Sequence, residues 1–237
     1  MRIHRALARA GIASRRGAEV LVAAGRVTVN GAVATTGQPV APERDDIRVD
    51  GRRLREPERA RWFVLNKPVG VMTTRRDPAG RPTVFALVPE VPGLTYVGRL
   101  DYLTAGVLLF TNDGTAANEL AHPSGSVPRT YVATVRGDAP AAAEQAKRGV
   151  RLDDGIARVE RVAVRQGAKR NWEFEVTLRE GRNREVRRLC EALGLRVDRL
   201  LRIAYGSVTL GKLRPGEWRE LTPADVRRLV ETRGSAL

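Results

Sequence analysis

The sequence predicts an α+β protein: a mainly antiparallel mixed-sheet domain preceded by a small separate module. Three observations carry this. From Trp62 onward the chain is dominated by stretches rich in valine, threonine and aromatics. The helical stretches among them are few and follow no regular β-α-β rhythm. Residues 1–55, by contrast, hold two short helical patterns and one hairpin signal.

Within residues 1–55, Ile3, Leu7 and Ala10 have helical spacing, and Gly11 stops that turn. Ser14 is suited to cap a second helix, whose Val20, Leu21 and Ala24 are expected to share a face before Gly25 ends it. RVTVNGAV then alternates around Asn30-Gly31, a hairpin signature. The charged run GRRLREPERA has no apolar period, so residues 56–61 are expected to be a linker and 62–237 a second domain. There the strand candidates are RWFVLNKP, VGVMTT, GVLLFTND, RTYVATV and NWEFEVTL. The helix candidates are AAAEQAKRG, REVRRLCEALG and PADVRRLVETR.

Composition narrows the function. No run of eighteen apolar residues exists and the N-terminus lacks a signal-peptide core, so no membrane partner and a cytoplasmic location are expected. One cysteine, Cys190, cannot form an intramolecular disulfide. With only His4 and His122 beside it, a soft-ligand metal site is disfavoured. The net charge is +15, from 42 basic and 27 acidic residues, which points to a polyanionic partner. The first sixteen residues hold Arg2, Arg5, Arg9, Arg15 and Arg16 with no acid, as a phosphate-contacting face would. A merely solvated basic face is the bland alternative.

Conventional catalytic sets are missing. Neither histidine lies near a nucleophile elbow, and no Gly-rich phosphate loop or GxGxxG opens a helix. An enzyme here would work with carboxylates, tyrosines, arginines and backbone, without a cofactor. GRLDYLTAG, residues 98–106, fits that requirement. Gly98 and Gly106 bracket a tight excursion, and Thr104 is placed to bond local backbone. Arg99 and Asp101 alternate, so both point to one side of extended chain. A carboxylate beside a cation stays ionised, which suits a nucleophile. A salt-bridged turn is the other reading.

EGRNREVRRLCEALG is the second candidate. Asn183 could cap a helix in which Val186, Leu189, Cys190 and Leu193 form the apolar stripe. Arg184 and Arg188 fall on the far side and Arg187 at the stripe's edge, where a guanidinium can tuck into a cleft or simply snorkel. Cys190 reads as core. Tyr131 in SVPRTYVATV offers a face for stacking and a hydroxyl for proton transfer, or plain packing. Lys67 in LNKPVG is either solvated or a phosphate contact.

Two resemblances follow from these residues. ASRRGAEVLVAAGRVTVNG resembles the small RNA-binding module called the alpha-L motif, first described in a protein of the small ribosomal particle. That implies RNA contacts from Arg5, Ser14, Arg15, Arg16 and Arg26. NKPVG, GRLDYLTAG, RTYVATV and LREGRNREVRRL resemble, in order and spacing, the four motifs of the pseudouridine synthases of ribosomal RNA. The branch is the one whose type members modify either small-subunit or large-subunit rRNA. Arg184 and Glu185 stand where a histidine and glutamine often occur, which tilts the resemblance toward the large-subunit enzymes.

The resemblance implies isomerisation of a uridine within RNA to its carbon-linked form, without cofactor or metal. Asp101 would be the essential acid, attacking the sugar or base or taking a sugar proton. Arg187 would pair with it, and Tyr131 would stack on the uracil and help remove the proton from carbon five. Arg99 and Thr104 would shape the loop or contact the flipped nucleotide, with Lys67, Arg182 and Arg184 contacting RNA. The implied partner is ribosomal RNA or a pre-ribosomal particle, met by a monomer. A non-catalytic ribosome-assembly factor is the alternative.

Overall fold

The computed structural model describes residues 1–54, 59–168 and 170–232, so residues 56–58 of the expected linker lie outside the described residues, as does Arg233 at the end of the last expected helix. The chain divides into two compact units. The first holds Met1–Arg61 with Pro89–Thr95 and Phe110–Ala117. The second holds Trp62–Val88, Tyr96–Leu109 and the chain from Asn118.

The first unit begins with α1 (Ile3–Arg9) and α2 (Arg15–Ala23). Ser14 caps α2, its hydroxyl accepting a hydrogen bond from the Gly17 amide at 3.0 Å. The buried face of α2 is Ala18 and Val22, one turn apart. Val20, expected on that face, is 68% exposed, and Ala24 is exposed too. The two valines are only two positions apart, and such positions point to different sides of a helix. Strands β1 (Val27–Val29) and β2 (Ala32–Val33) form the hairpin, with Asn30 and Gly31 both at positive φ, as a two-residue turn of this kind requires. β3 (Ile47–Val49) and β4 (Arg52–Arg53) complete a sheet of order β2-β1-β3-β4. Ile3, Leu7 and Ile47 are sealed in its core, each contributing roughly 1.5–3 kcal/mol.

The remaining elements are β5 (Trp62–Lys67), β6 (Thr95–Val97), β7 (Thr104–Thr111), α3 (Gly114–Ala121), β8 (Arg129–Arg136) and α4 (Ala139–Lys147). After them come β9 (Val150–Leu152), β10 (Gly155–Ala157), β11 (Arg161–Gln166), β12 (Trp172–Leu178) and α5 (Glu185–Ala192). β13 (Arg196–Tyr205), β14 (Val208–Thr209), β15 (Trp218–Glu220) and α6 (Pro223–Glu231) close the chain. The main sheet runs β11-β12-β8-β13-β7-β5-β15, with β14 on β13 and β6 on β7. It is mainly antiparallel, as expected; β13 is antiparallel to β8 but parallel to β7.

Alternation decides which side chains meet. Ala133 and Val135 of β8 and Phe174, Val176 and Leu178 of β12 are buried with Ala142 and Ala146 of α4 and Val186 and Leu189 of α5. Tyr131 has the same parity as Ala133, so it joins that face of the sheet. Across β13 the register sets Arg202 opposite Tyr131 on one side and Gly106 on the other. Three corrections to the sequence reading follow. VGVMTT is not a strand: residues 69–74 make only an isolated bridge, Met72 to Thr83. α3 was not anticipated, although Asp113 caps it by accepting from the Thr115 and Ala116 amides. Nor was β13, the strand that joins the two halves of the sheet. No helix among the described residues is long and apolar enough to cross a membrane.

Candidate active site

The loop between Leu100 and β7 is held by its backbone, and this determines what its side chains can do. Thr104 N donates to Asp101 O at 3.0 Å. Gly70 N donates to Tyr102 O at 2.9 Å, and Arg187 Nη2 to Leu103 O at 2.9 Å. The Lys67 ammonium donates to Pro68 O at 2.9 Å, Asp101 O at 3.2 Å and Thr104 O at 3.0 Å. Lys67 is 0% exposed. All three of its protons are taken, so it braces the loop; it is neither solvated nor open to a phosphate, as the sequence reading had it. Thr104 likewise holds the turn through its amide, not its hydroxyl, which is buried and without a partner among the described residues.

With its carbonyls satisfied, the loop sets Asp101 on the wall of a cavity of about 360 Å³, near the lower end of the ~300–1,000 Å³ usual for ligand pockets. Tyr131, Thr104, Arg99, Arg129 and Arg202 share that wall, as do Leu178, Val186 and Leu200. The Asp101 carboxylate makes no hydrogen bond or ion pair with another described residue. Arg202 is 2% exposed. Its Nε donates to Val107 O at 2.8 Å and its Nη1 to the Tyr131 hydroxyl at 3.4 Å, while Nη2 has no partner among the described residues. Its guanidinium stands 5.9 Å from the Tyr131 ring centre and 5.1 Å from that of Tyr205. Arg129, also buried, fixes the far rim by donating to the carbonyls of Arg179 and Glu180.

Helix α5 supplies the rest of the wall. Its cap is Arg184 in a left-handed conformation, φ 48°, and not Asn183; the Glu185 carboxylate turns back to accept from the Arg182 amide. Burial, then the nearby Glu180, raises Glu185 above the usual carboxylate range. Val186, Leu189 and Cys190 are buried as their stripe predicts, and burial pushes the Cys190 thiol up to about 12, as befits a core residue. Arg187 is near enough to Asp101 to feel its charge, but burial and Arg184 act against it. The direct ion pair expected between Arg187 and Asp101 is not formed, because the guanidinium is drawn to the Leu103 carbonyl instead. The arrangement offers one unengaged carboxylate, one aromatic face and two buried guanidinium groups in a single nucleotide-sized space. A model described as RNA pseudouridylate synthase matches residues 61–192.

The chain belongs to the RNA pseudouridylate synthase family. It is an enzyme of that class, and the resemblance read from GRLDYLTAG and the closing basic motif is borne out. An S4 domain model matches residues 1–46 of the synthase. It is 42% identical to an RNA pseudouridine synthase of Aquifex aeolicus, over 99% of this chain and 95% of that one. It is 45% identical to a ribosomal large subunit pseudouridine synthase B of Vibrio cholerae, over 98% of this chain and 76% of that one. A crystal structure of a pseudouridylate synthase superposes with a TM-score of 0.64 at 26% identity, covering 97% of this chain and 99% of the other.

Other candidate residues of the synthase fare differently. Arg99 and Arg184 are exposed on the cavity's rim. Arg182 is engaged: it donates to Glu180, Asp154 and the Ile156 carbonyl, which ties the segment before α5 to β10. In the first unit, Ser14, Arg15, Arg16 and Arg26 are exposed. Arg26, however, is held in a bidentate pair by Asp50, and Arg5 donates to Thr115 Oγ1 at 2.7 Å. The reading from sequence missed Arg129, Arg202 and the wall position of Glu185. One signal for Arg202 was available: it is the lone charge in the apolar run LLRIAY.

Lys67 gives the synthase a pH dependence. Burial lowers its ammonium to about 8. From about 8 up to the ordinary lysine value the unfolded chain holds the proton and the folded chain does not, so this group adds stability as pH rises through that window. Turnover should move the other way, because a neutral amine has two N–H groups for three carbonyls. We expect pseudouridine formation to decline as pH rises through about 8, without a matching drop in melting temperature. Lys67→Met should flatten that limb, and a limb unchanged in the variant would assign the titration to another group.

Proposed function

We propose that the chain converts a uridine in large-subunit ribosomal RNA to pseudouridine, with Asp101 as the essential carboxylate. The observation that carries this is Asp101, with no hydrogen-bond or ion-pair partner among the described residues, on the same cavity wall as Tyr131 and Arg202. A base stacked in a helix hides its bond to the sugar, so the nucleotide must swing out, at a cost of a few kcal/mol that phosphate contacts and stacking offset. The bond from the sugar to uracil N1 then breaks and one to carbon five forms. Carbon five loses a proton and N1 gains one, so the product is an isomer and no redox partner is required. Asp101 attacks the sugar or base, or takes a sugar proton. Tyr131 stacks on the uracil and relays the proton: its phenol O–H protonates N1 and the phenolate left behind takes the carbon-five proton, which restores the phenol. Arg202, which donates to that oxygen, stabilises the phenolate in between.

Large-subunit RNA is favoured by the relatives named synthase B and by Arg184-Glu185 in the closing motif. The RNA is held by the N-terminal module, residues 1–55, joined through residues 56–61 to the catalytic domain, residues 62–237, of a cytoplasmic monomer. Of Arg5, Arg15, Arg16 and Arg26, Arg15 and Arg16 are best placed to meet phosphate, being exposed and paired with no acid among the described residues; Arg15 donates to Gly114 O at 3.3 Å. Changing both to alanine should weaken binding of structured RNA and reduce the slope of log affinity against log salt by about one for each phosphate no longer neutralised. An unchanged slope would make these arginines solubilising only.

The deciding comparison is Asp101→Asn, scored by carbodiimide-induced primer-extension stops on ribosomal RNA. A hydrolytic reading also has some support, since Glu180 and Glu185 border the same cavity and a glycosidase uses two carboxylates. Free uracil or shortened RNA after incubation would favour it. A scaffold acting only in ribosome assembly would show binding without either product.

A further inference from the structure

The same loop that presents Asp101 also turns two large apolar side chains outward. Tyr102 is 40% exposed and Leu103 is 58% exposed. Nothing about them is slack, because the carbonyls of Asp101, Tyr102, Leu103 and Thr104 are all engaged. Val69, also exposed, precedes Gly70, whose amide holds Tyr102. Arg81 lies near the Tyr102 ring, its guanidinium 5.9 Å from the centre, and is itself fixed by a bidentate pair with Asp77. Arg99, two residues before Asp101, is exposed. A rigid apolar surface next to a reactive carboxylate and flanked by guanidinium groups costs solvation unless something covers it.

We propose that Tyr102 and Leu103 form a stacking shelf for the nucleobase that neighbours the target uridine. This rests on reading the cavity as a nucleotide pocket. The RNA backbone is continuous, so a nucleotide beside a swung-out one must lie close to the cavity, and Tyr102 and Leu103 fall in the chain between Asp101 and Thr104, which line it. An aromatic face with arginine beside it is the chemistry that holds an unpaired base without reading its identity. A protein partner would need a broader apolar surface than two residues and would gain nothing from Arg81 and Arg99.

The test uses the full chain carrying Asp101→Asn, so that binding is read without turnover, and an RNA hairpin with one target uridine. Tyr102→Ala should weaken binding by about 5- to 150-fold, the span of one aromatic–base stack. Tyr102→Phe should keep wild-type affinity, because the ring and not the hydroxyl does the stacking. Removing the base on one flank of the uridine should weaken the parent by a similar factor. Tyr102→Ala should then cost nothing further on that abasic RNA. An alanine variant that binds like the parent overturns the shelf, as does a penalty that persists undiminished when either flank is abasic. Should the unmodified chain form no pseudouridine on any RNA, the functional reading fails while this binding result still stands by itself.

Discussion

Replacing Asp101 by asparagine is expected to abolish pseudouridine formation while RNA affinity stays within about two-fold of wild type, since the side chain contributes no phosphate contact. The substitution keeps size and removes charge. Because the Asp101 carboxylate makes no hydrogen bond or ion pair with another described residue, its loss breaks no such contact, and the fold should be unaffected. A drop in rate of at least about 10²–10⁴-fold is expected, the contribution of one positioned proton-transfer group, and more if the carboxylate attacks covalently. Primer-extension stops after carbodiimide treatment measure it on ribosomal RNA, with filter binding as the control. Undiminished stops in the variant would remove Asp101 from the chemistry. Loss of binding and of stops together would recast it as a recognition residue.

Gly106→Ala is expected to be the most disruptive single substitution near the site. Gly106 has φ 112°, a conformation that residues with a Cβ rarely adopt, and it pairs with Arg202 where β7 and β13 run parallel. A Cβ there would stand 2.1 Å from the Arg202 carbonyl oxygen, which is backbone and cannot swing aside. Backbone strain of ~1–3 kcal/mol and overpacking of ~1–3 kcal/mol add to a loss of roughly 2–6 kcal/mol. The two strands must separate, and with them Thr104 on one side and Arg202 on the other. Urea unfolding reports the loss as a lower midpoint. A variant with the wild-type midpoint would show that the two backbones are not held this close.

The parts of the site that were legible in the sequence are those whose meaning is local. GRLDYLTAG announces a tight excursion before an apolar strand, and the excursion does present Asp101 to the cavity. Val186, Leu189 and Cys190 announce the buried stripe of α5 by spacing alone. What failed depended on partners far along the chain. Lys67 reads as a surface charge until β5 is seen buried along its whole length, with the loop carbonyls waiting at its end. Arg202 reads as nothing in particular until β13 is placed between β7 and β8, because pairing order is not written in the alternation of one strand. Asn183 looks a better cap than Arg184, yet the Glu185 carboxylate reaches the Arg182 amide and shifts the start of the helix.

The position of β13 in the sheet has a consequence for biosynthesis. β7 and β8 emerge from the ribosome well before β13, which must later enter between them. Until it does, Arg202 is absent, Tyr131 lacks the neighbour that orients its hydroxyl, and no enclosed space exists beside Asp101. Distant parallel pairing is slow to form. A nascent chain therefore carries Asp101, Tyr131 and the rest of the cavity wall in a scattered state, and the cavity is completed in one late step when the C-terminal strands close the gap.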